Sequence, residues 1–434
     1  MTRSASDPVP LDPVDAAWLR MDSAHNPMVI TTVLAFDGPL ADDALRATLE
    51  RFLAERRFRQ RVVRDRRTLT GLAWQDDPRF AYDQHVRRVR LAPPGDDAAL
   101  GAFVSEEIST PLARDRPLFR VAVVDGVRAC GVGGAGAPEG SALVVQVHHA
   151  VGDGVALVRR LLDVSGAAAA SRPPEVGLAR PPRPRTVRAW LGRAFARGTT
   201  LARLLLLPPD ARTPLRGALG ARKVAAYSRP IPLATIKAAA HRSGGHVNDL
   251  LGAAVAGALH AYLPAPRAVR ALVPVFLRGG RERAHNQFGL IYLPLPVGEP
   301  ERAARLCAVE AEMDAVKAAP DATVAFMVLG ALGLASQALE RLGIQLFTLK
   351  ASMLVTNVPG PTAPVRVAGR EVASMVVWAP TSGSIGLGWS LLTYAGDLRL
   401  GVAADARRVP DPSALVAAFE RELDLLCGAA EGES

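Results

Sequence analysis

Two adjacent histidines open the string HHAVGDG, with His149 four residues ahead of Asp153. An imidazole titrates near neutrality, so one aimed into a cleft can take a proton from a hydroxyl and return it to a leaving group. Acyl transfer needs that proton traffic. Two roles are open for Asp153. It could orient the His149 ring as the acid of a triad does, or pair with a buried arginine and hold the loop in shape, which is the favoured role. Gly152 and Gly154 on either side of it permit a tight turn. Adjacent histidines can also be structural or ligate a metal. A metal would require further ligands at suitable spacing, and no HExxH, cysteine pair or carboxylate cluster accompanies this pair.

The elements that must position these residues are legible around them. ALVVQVHHAVGDGVALVRRLL reads as a buried strand, a short loop and an amphipathic helix, so the histidines sit at a strand end. Upstream, MVITTVLAF (28–36), a helix over about 41–55, LFRVAVV (118–124) and ALVVQV (142–147) make a mixed α/β layer. PPEVGLARPPRP (173–184) cannot sustain a helix or a central strand and marks a domain exit. HVNDLLGAAVAGALHAYL (246–263) reads as a helix with Asn248 as its N-cap. Further strands are expected at 270–277, 288–297, 351–360, 387–394 and 398–404, the last two joined by a hairpin turning at Ala395, Gly396 and Asp397.

A chain of 434 residues exceeds one ordinary core, so two domains are expected. Apolar residues make up 49% and aromatics only 5%, which predicts an aliphatic interior. The net charge of +10 favours anionic partners such as phosphates or acidic lipid. Nearly all the cations are arginine, the exceptions being Lys223, Lys237, Lys317 and Lys350; with the abundant alanine this looks like GC-rich codon usage. Nucleic acid is not favoured, because no helix-turn-helix, RRM or zinc signature is present and few aromatics are available for stacking. Cys130, Cys307 and Cys427 form no framework, which fits a reducing, cytoplasmic setting. The N-terminal residues lack the apolar core of a signal peptide. The uncharged stretch 323–339 is short for a bilayer span and reads as a buried or interfacial helix.

HHAVGDG resembles the HHxxxDG motif of the coenzyme A-dependent acyltransferase superfamily, which includes chloramphenicol acetyltransferase, plant BAHD enzymes and peptide-synthetase condensation domains. Other segments narrow the resemblance. PLDPVDAAWLRMDSAHNPMVI (10–30) is similar to the N-terminal signature of the bacterial wax ester synthase/diacylglycerol acyltransferase family, with Asp12 where serine is usual. RPLFR (116–120), the 246–263 helix, NQFG (286–289), TNVPGP (356–361) and SLLTYAGDLRLGVAADARRVPD (390–411) resemble the same family in order, over about residues 10–425.

The resemblance implies a two-domain α/β fold of the chloramphenicol acetyltransferase type with a tunnel between the domains. It divides the chain into an N-terminal acyltransferase domain (1–175), a Pro/Arg-rich linker or crossover (176–225) and a C-terminal acyltransferase domain (226–434). It implies His149 as general base, His148 as loop support, Asn248 near the reacting centre and Asp249 in a structural role. Acyl-CoA would enter one mouth as co-substrate, with no other cofactor and no metal, and a fatty alcohol or diacylglycerol would enter the other. Gly152 departs from the larger residue common at its position, and the chain is shorter than typical members. Both departures bear on substrate breadth. The rival reading is a non-catalytic or condensation-like acyl-binding module, against which the intact motif weighs. Finally, Arg183, Arg185, Arg188, Arg193, Arg197 and Arg203 are interspersed with Trp190, Phe195 and Leu204 to Leu207. The segment 185–207 is therefore expected to be either a peripheral anchor on anionic inner membrane or lipid droplets, or an ordinary crossover helix.

Overall fold

The computed structural model describes residues 7–132, 139–165, 187–265, 267–276, 288–318 and 321–429. The Pro-rich exit at 173–184, Arg183, Arg185, Asn286 and Gln287 lie outside these residues, as do the side chains of Arg188, Trp190 and Arg193. The chain begins β1 (Val9–Pro10), α1 (Pro13–Met21), β2 (Val29–Phe36), α2 (Asp42–Phe52), β3 (Gln60–Arg64), β4 (Leu72–Asp76), β5 (Val86–Arg90), α3 (Asp97–Ser109), β6 (Phe119–Val127), β7 (Gly140–His148) and α4 (Gly154–Ser165). It continues with α5 (Val187–Leu206), β8 (Lys223–Tyr227), β9 (Ile231–Pro232), α6 (Leu233–Arg242), α7 (Val247–Tyr262), β10 (Val269–Phe276), β11 (Phe288–Leu295), α8 (Arg302–Ala318), α9 (Asp321–Leu332) and α10 (Gln337–Thr348). It ends with β12 (Met353–Pro359), β13 (Arg366–Val367), β14 (Arg370–Glu371), β15 (Ser374–Trp378), β16 (Leu387–Tyr394), β17 (Asp397–Asp405) and α11 (Pro412–Ala429).

Two sheets organise these elements. The first has the order β15-β2-β7-β6-β5, and strand alternation sends its side chains to two cores. Ile30, Leu34 and Phe36 of β2 pack beneath α1 and α2, whereas Val33 and Ala35 join Leu100 and Val104 of α3 on the opposite face. The second sheet runs β11-β10-β12-β16-β17-β8, with β9 beside β17, and packs on α7 and α11. Helix α7 is buried from Asp249 to Leu259 and forms the axis of this half, which explains its nearly unbroken run of small and aliphatic residues. The aliphatic interior expected from composition is thus split into several clusters on the faces of the two sheets.

The hairpin between β16 and β17 forms where expected, with Tyr394 paired to Asp397 and a two-residue turn. Ala395 and Gly396 both take positive φ, 49° and 95°, as a primed turn between twisted strands demands. Less expected is β15. It lies within the C-terminal half in sequence yet pairs with β2, Ser374 opposite Ala35, so the two halves share a sheet.

The stretch 323–339 corrects the single-helix expectation. Helix α9 ends at Leu332, next to Gly333, where a Cβ would stand 1.7 Å from the Pro13 carbonyl oxygen, and α10 restarts with Ser336 accepting from Leu339 N. Arg20, from the last turn of α1, ties this corner down. Its guanidinium donates to the carbonyls of Gly333 (3.1 Å) and Thr70 (2.6 Å) and to the Glu340 carboxylate (3.1 Å), which is 1% exposed. Removing Arg20 strands a buried carboxylate and several carbonyls, whereas neutralising Glu340 leaves the carbonyl contacts in place. Arg20→Met is therefore expected to cost about 3 to 5 kcal/mol, and Glu340→Gln distinctly less, in urea unfolding midpoints. The reverse ranking would show that the carboxylate, not the guanidinium, organises the corner.

Candidate active site

The two histidines are held by their backbones before any side chain acts. The His148 N–H donates to Leu118 O (3.0 Å) and the His149 N–H to Met28 O (2.8 Å), so the strand end is clamped from both neighbouring segments. Leu118 belongs to RPLFR and Met28 to the N-terminal signature, which gives both motifs a place at the site. Asp153 is buried at 7% exposure, and its carbonyl accepts from Leu157 N as α4 begins.

His148 is 1% exposed, and its Nδ1 accepts the Ala150 N–H at 3.0 Å. An accepting Nδ1 puts the proton on Nε2. That atom faces Asp22 Oδ2 at 3.9 Å, too far for a hydrogen bond. Burial pushes the His148 pKa down to about 4; Asp22 opposes the shift and Arg114 adds to it. Asp22 is otherwise engaged, accepting from Met28 N (2.8 Å) and from Arg114 Nη2 (2.7 Å). His148 is thus a neutral buried ring that shapes the turn.

The His149 ring lies against Trp18, with centroids 4.2 Å apart and planes 18° from parallel, and Phe288 closes on it at 5.5 Å. Trp18 stands on α1, whose first turn is capped by Asp12 accepting from Val14 N at 2.9 Å. An aspartate there does the capping work of the usual serine. Trp18 and Asp22 are spaced by one helical turn inside the N-terminal signature. That spacing was the signal by which both could have been singled out beforehand.

Asn248 is not the helix cap it was expected to be. Helix α7 starts one residue earlier, and the buried Asp249 carboxylate receives the His246 N–H at 2.8 Å, so Asp249 serves the cap. The Asn248 side chain is exposed and its Oδ1 accepts from Asn357 Nδ2 at 2.8 Å. Asn357 precedes Val358, which lies 3.7 Å from where a Cβ on Gly154 would stand. The structure therefore brings TNVPGP to the exit of the histidine loop, with Asn248 bonded to its Asn357. Gly360 of that motif is required by packing, since a Cβ there would meet Thr393 O at 2.2 Å.

A cavity opens beside Gly154 between the first sheet and helices α2 and α4. Ile30, Phe52, Phe119, Val145, Val358 and Leu392 are among its walls, and only Thr32 and Thr48 bring hydroxyls. A roomier groove between α3, β8 and α11 carries charges of both signs at Asp97, Lys223 and Glu420, and shares no residue with this cavity or the histidine loop. Among the described residues no cluster of His, Cys, Asp and Glu is arranged to hold a metal ion.

With this geometry in view, residues 11–206 match the wax ester synthase/diacylglycerol acyltransferase catalytic domain, and residues 284–427 match the WS/DGAT C-terminal domain. The chain belongs to the wax ester synthase/diacylglycerol acyltransferase family. A putative diacylglycerol O-acyltransferase of Mycobacterium tuberculosis is 29% identical over 92% of this chain and 86% of its own. A probable diacylglycerol O-acyltransferase of the same organism is 24% identical, covering 94% of each. The wax ester synthase/diacylglycerol acyltransferase of Marinobacter aquaeolei VT8 superposes with a TM-score of 0.71 at 22% identity, over 98% of this chain and 100% of that one. A starter condensation domain of rhizomide synthetase, solved with C8-CoA and Leu-SNAC, gives 0.60 at 16% identity over 98% and 94%. The two-domain α/β fold expected from the motif is the fold observed.

The buried state of His148 carries a pH dependence. Its folded pKa of about 4 lies below the unfolded value of about 6.5. As pH falls below the unfolded value, the unfolded chain takes up a proton that the folded one refuses. The contribution is thus complete above about pH 6.5, is lost as pH falls toward 4, and amounts to about 3 kcal/mol. Urea unfolding at neutral and acid pH should show this loss in the wild type and a smaller one in His148→Gln, which cannot charge. Parallel profiles for the two proteins would show that His148 does not supply it.

Proposed function

We propose that this protein transfers a fatty acyl group from acyl-CoA to an alcohol, making triacylglycerol from diacylglycerol, wax ester from fatty alcohol, or both. The observation that carries this reading is the HHAVGDG loop, with His149 at its head and Gly154 at the wall of an almost wholly apolar cavity. An alkyl chain is the ligand such walls accept, because they present almost no polar group to desolvate or pair. Relatives named as diacylglycerol O-acyltransferases and the C8-CoA complex of a condensation domain support the same donor and acceptor chemistry.

In this reading His149 removes the acceptor's hydroxyl proton, and the oxygen attacks the thioester carbonyl carbon. The tetrahedral oxyanion collapses, the carbon–sulfur bond breaks, and the imidazolium returns its proton to the coenzyme A thiolate. Ester and free coenzyme A leave, with no acyl-enzyme and no metal in the sequence of steps. Trp18 positions the imidazole and shields one face of it from water. His148 and the buried Asp153 hold the loop. Asn248, its carbonyl oxygen taken by Asn357, has N–H donors to offer a polar group of the substrate. Coenzyme A and the alcohol approach through opposite mouths of a tunnel between the domains. The setting is cytoplasmic, at the surface of the inner membrane or of lipid droplets; none of the described helices is long and apolar enough to cross a membrane.

Purified protein given radiolabelled acyl-CoA and a panel of alcohols, with products separated by thin-layer chromatography, tests the reading and names the acceptor. His149→Ala should lower ester formation by about 10²- to 10⁴-fold, and His148→Ala by less. A folded His149→Ala protein within a few-fold of wild type would overturn the assignment of the base.

The stacking partner yields a second expectation. Trp18→Ala removes the surface that fixes the ring, and a misplaced base can cost up to about 10²-fold in kcat. Trp18→Phe keeps an aromatic face and should retain most of the rate. Equal losses in both variants would mean that Trp18 acts through bulk packing and not through ring orientation.

A further inference from the structure

Soluble proteins rarely gather exposed apolar side chains in one place. Among the described residues, twelve large apolar side chains stand exposed, and ten of them lie on α5, α9, α10 and the turns that bound these helices. Helix α5 contributes Phe195 at 74% exposure, Leu205 at 67% and Leu206 at 82%. Helix α10 presents Leu339, Leu342 and Leu346, at 57%, 51% and 52%, a spacing of three and four that lines one face. Met327 of α9 and Leu334 in the following turn are exposed as well, and α9 packs against both α5 and α10.

The three helices form one body. Leu204 of α5 packs with Val324 of α9, and Phe347 of α10 joins the same cluster. Lys350, just beyond α10, donates to the carbonyls of Leu204 and Leu205 and fastens the end of α5. Helix α9 is apolar on all sides, which a globular surface does not require. Its inner residues Phe326 and Leu329 join the core that contains Trp18, while Met327 faces out. One helix, about 10 Å thick, separates the exposed face from the aromatic pair beside His149.

The charge on this face identifies what covers it. Arg197 and Arg341 are exposed, and the only carboxylate among the described side chains of the three helices is Glu340, buried against Arg20. A second copy of the chain would set cation against cation. We propose that α5, α9 and α10 together form a docking face for an anionic phospholipid membrane, with the leucines in the acyl boundary and the arginines among the headgroups. The proposal deepens the lipid-substrate reading above and rests on it. An acceptor dissolved in the membrane then reaches the site by passing one helix and never enters bulk water. The anchor expected from residues 185–207 alone becomes a three-helix surface, in which α10 supplies the most regular apolar face.

The test is flotation with vesicles of equal parts phosphatidylcholine and phosphatidylglycerol, alongside ester formation with a short, water-soluble alcohol. Wild type should float at low salt. The variant Leu339→Ser/Leu342→Ser/Leu346→Ser should partition about a thousandfold less, since each leucine withdrawn from an apolar phase costs about a factor of ten. Its rate on the soluble alcohol should be unchanged. Arg197→Glu/Arg341→Glu, made at exposed positions that do not test folding, should partition about thirtyfold or more less. Three results would overturn the proposal: a wild type that stays at the bottom, variants that float as it does, or a wild-type dimer in sedimentation that the leucine variant dissociates. Failure on every alcohol with flotation intact would strike the acyl-transfer reading and leave the docking face standing.

Discussion

The site depends on a clamp made by backbone hydrogen bonds. Leu118 O and Met28 O hold the amides of His148 and His149 from opposite sides of the strand end, and both histidines are fixed before their rings make a contact. Buried amide bonds of this kind are costly to break, because each opens an unpaired donor and acceptor. The rings then divide the labour. One goes inward, is kept neutral by burial and shapes the turn; the other lies against Trp18 and Phe288. A pair of identical residues thus meets two environments, and burial separates titratable neighbours in the same way elsewhere.

The clamp also explains why motifs far apart in sequence belong together. Met28, Trp18, Asp22 and Arg20 all come from one short stretch, and they hold respectively the His149 amide, the His149 ring, the Arg114 guanidinium beside His148, and the α9–α10 corner. Helix α1 is therefore a wedge between the histidine loop and the exposed apolar face. Its cap, Asp12, needs only a side-chain oxygen at the right place, so aspartate serves where serine is usual. The glycines at Gly289, Gly333 and Gly360 mark where other backbones press against this arrangement, each leaving no room for a Cβ.

How much of this the sequence disclosed follows from the range of the interactions. Strands at residues 28–36, 387–394 and 398–404 and the turn at Ala395 and Gly396 were legible, because hydrophobic alternation and turn chemistry are local. The crossover of β15 into the first sheet was not. SMVVW has the composition of any buried strand, and only its partner β2, more than 300 residues earlier in the chain, decides where it goes. The same limit applied to Asn248. The sequence HVNDLL offers two capping solutions, and the reciprocal bond between His246 and Asp249 wins over an asparagine cap two residues later. The motif histidines were legible as chemistry, whereas Trp18, their nearest ring neighbour, lay within a quoted signature without a role.

The uncharged stretch 323–339 was misread for a related reason, and the correction bears on function. Composition alone reads a run of this length as one helix whose apolar character must be buried or lie at an interface. The run breaks at Gly333, where the chain passes close to Pro13, and the break lets each piece take a different task. Helix α9 turns Phe326 and Leu329 to the core around Trp18. The next helix, capped by Ser336, keeps Glu340 inward on Arg20 and turns Leu339, Leu342 and Leu346 outward. A continuous helix could not satisfy both demands: the buried ion pair fixes the rotation of α10, and that rotation is what places the three leucines in water. The exposed face is thus a consequence of the Arg20–Glu340 pair and of the wedge that carries Arg20, the same helix that steadies the His149 ring.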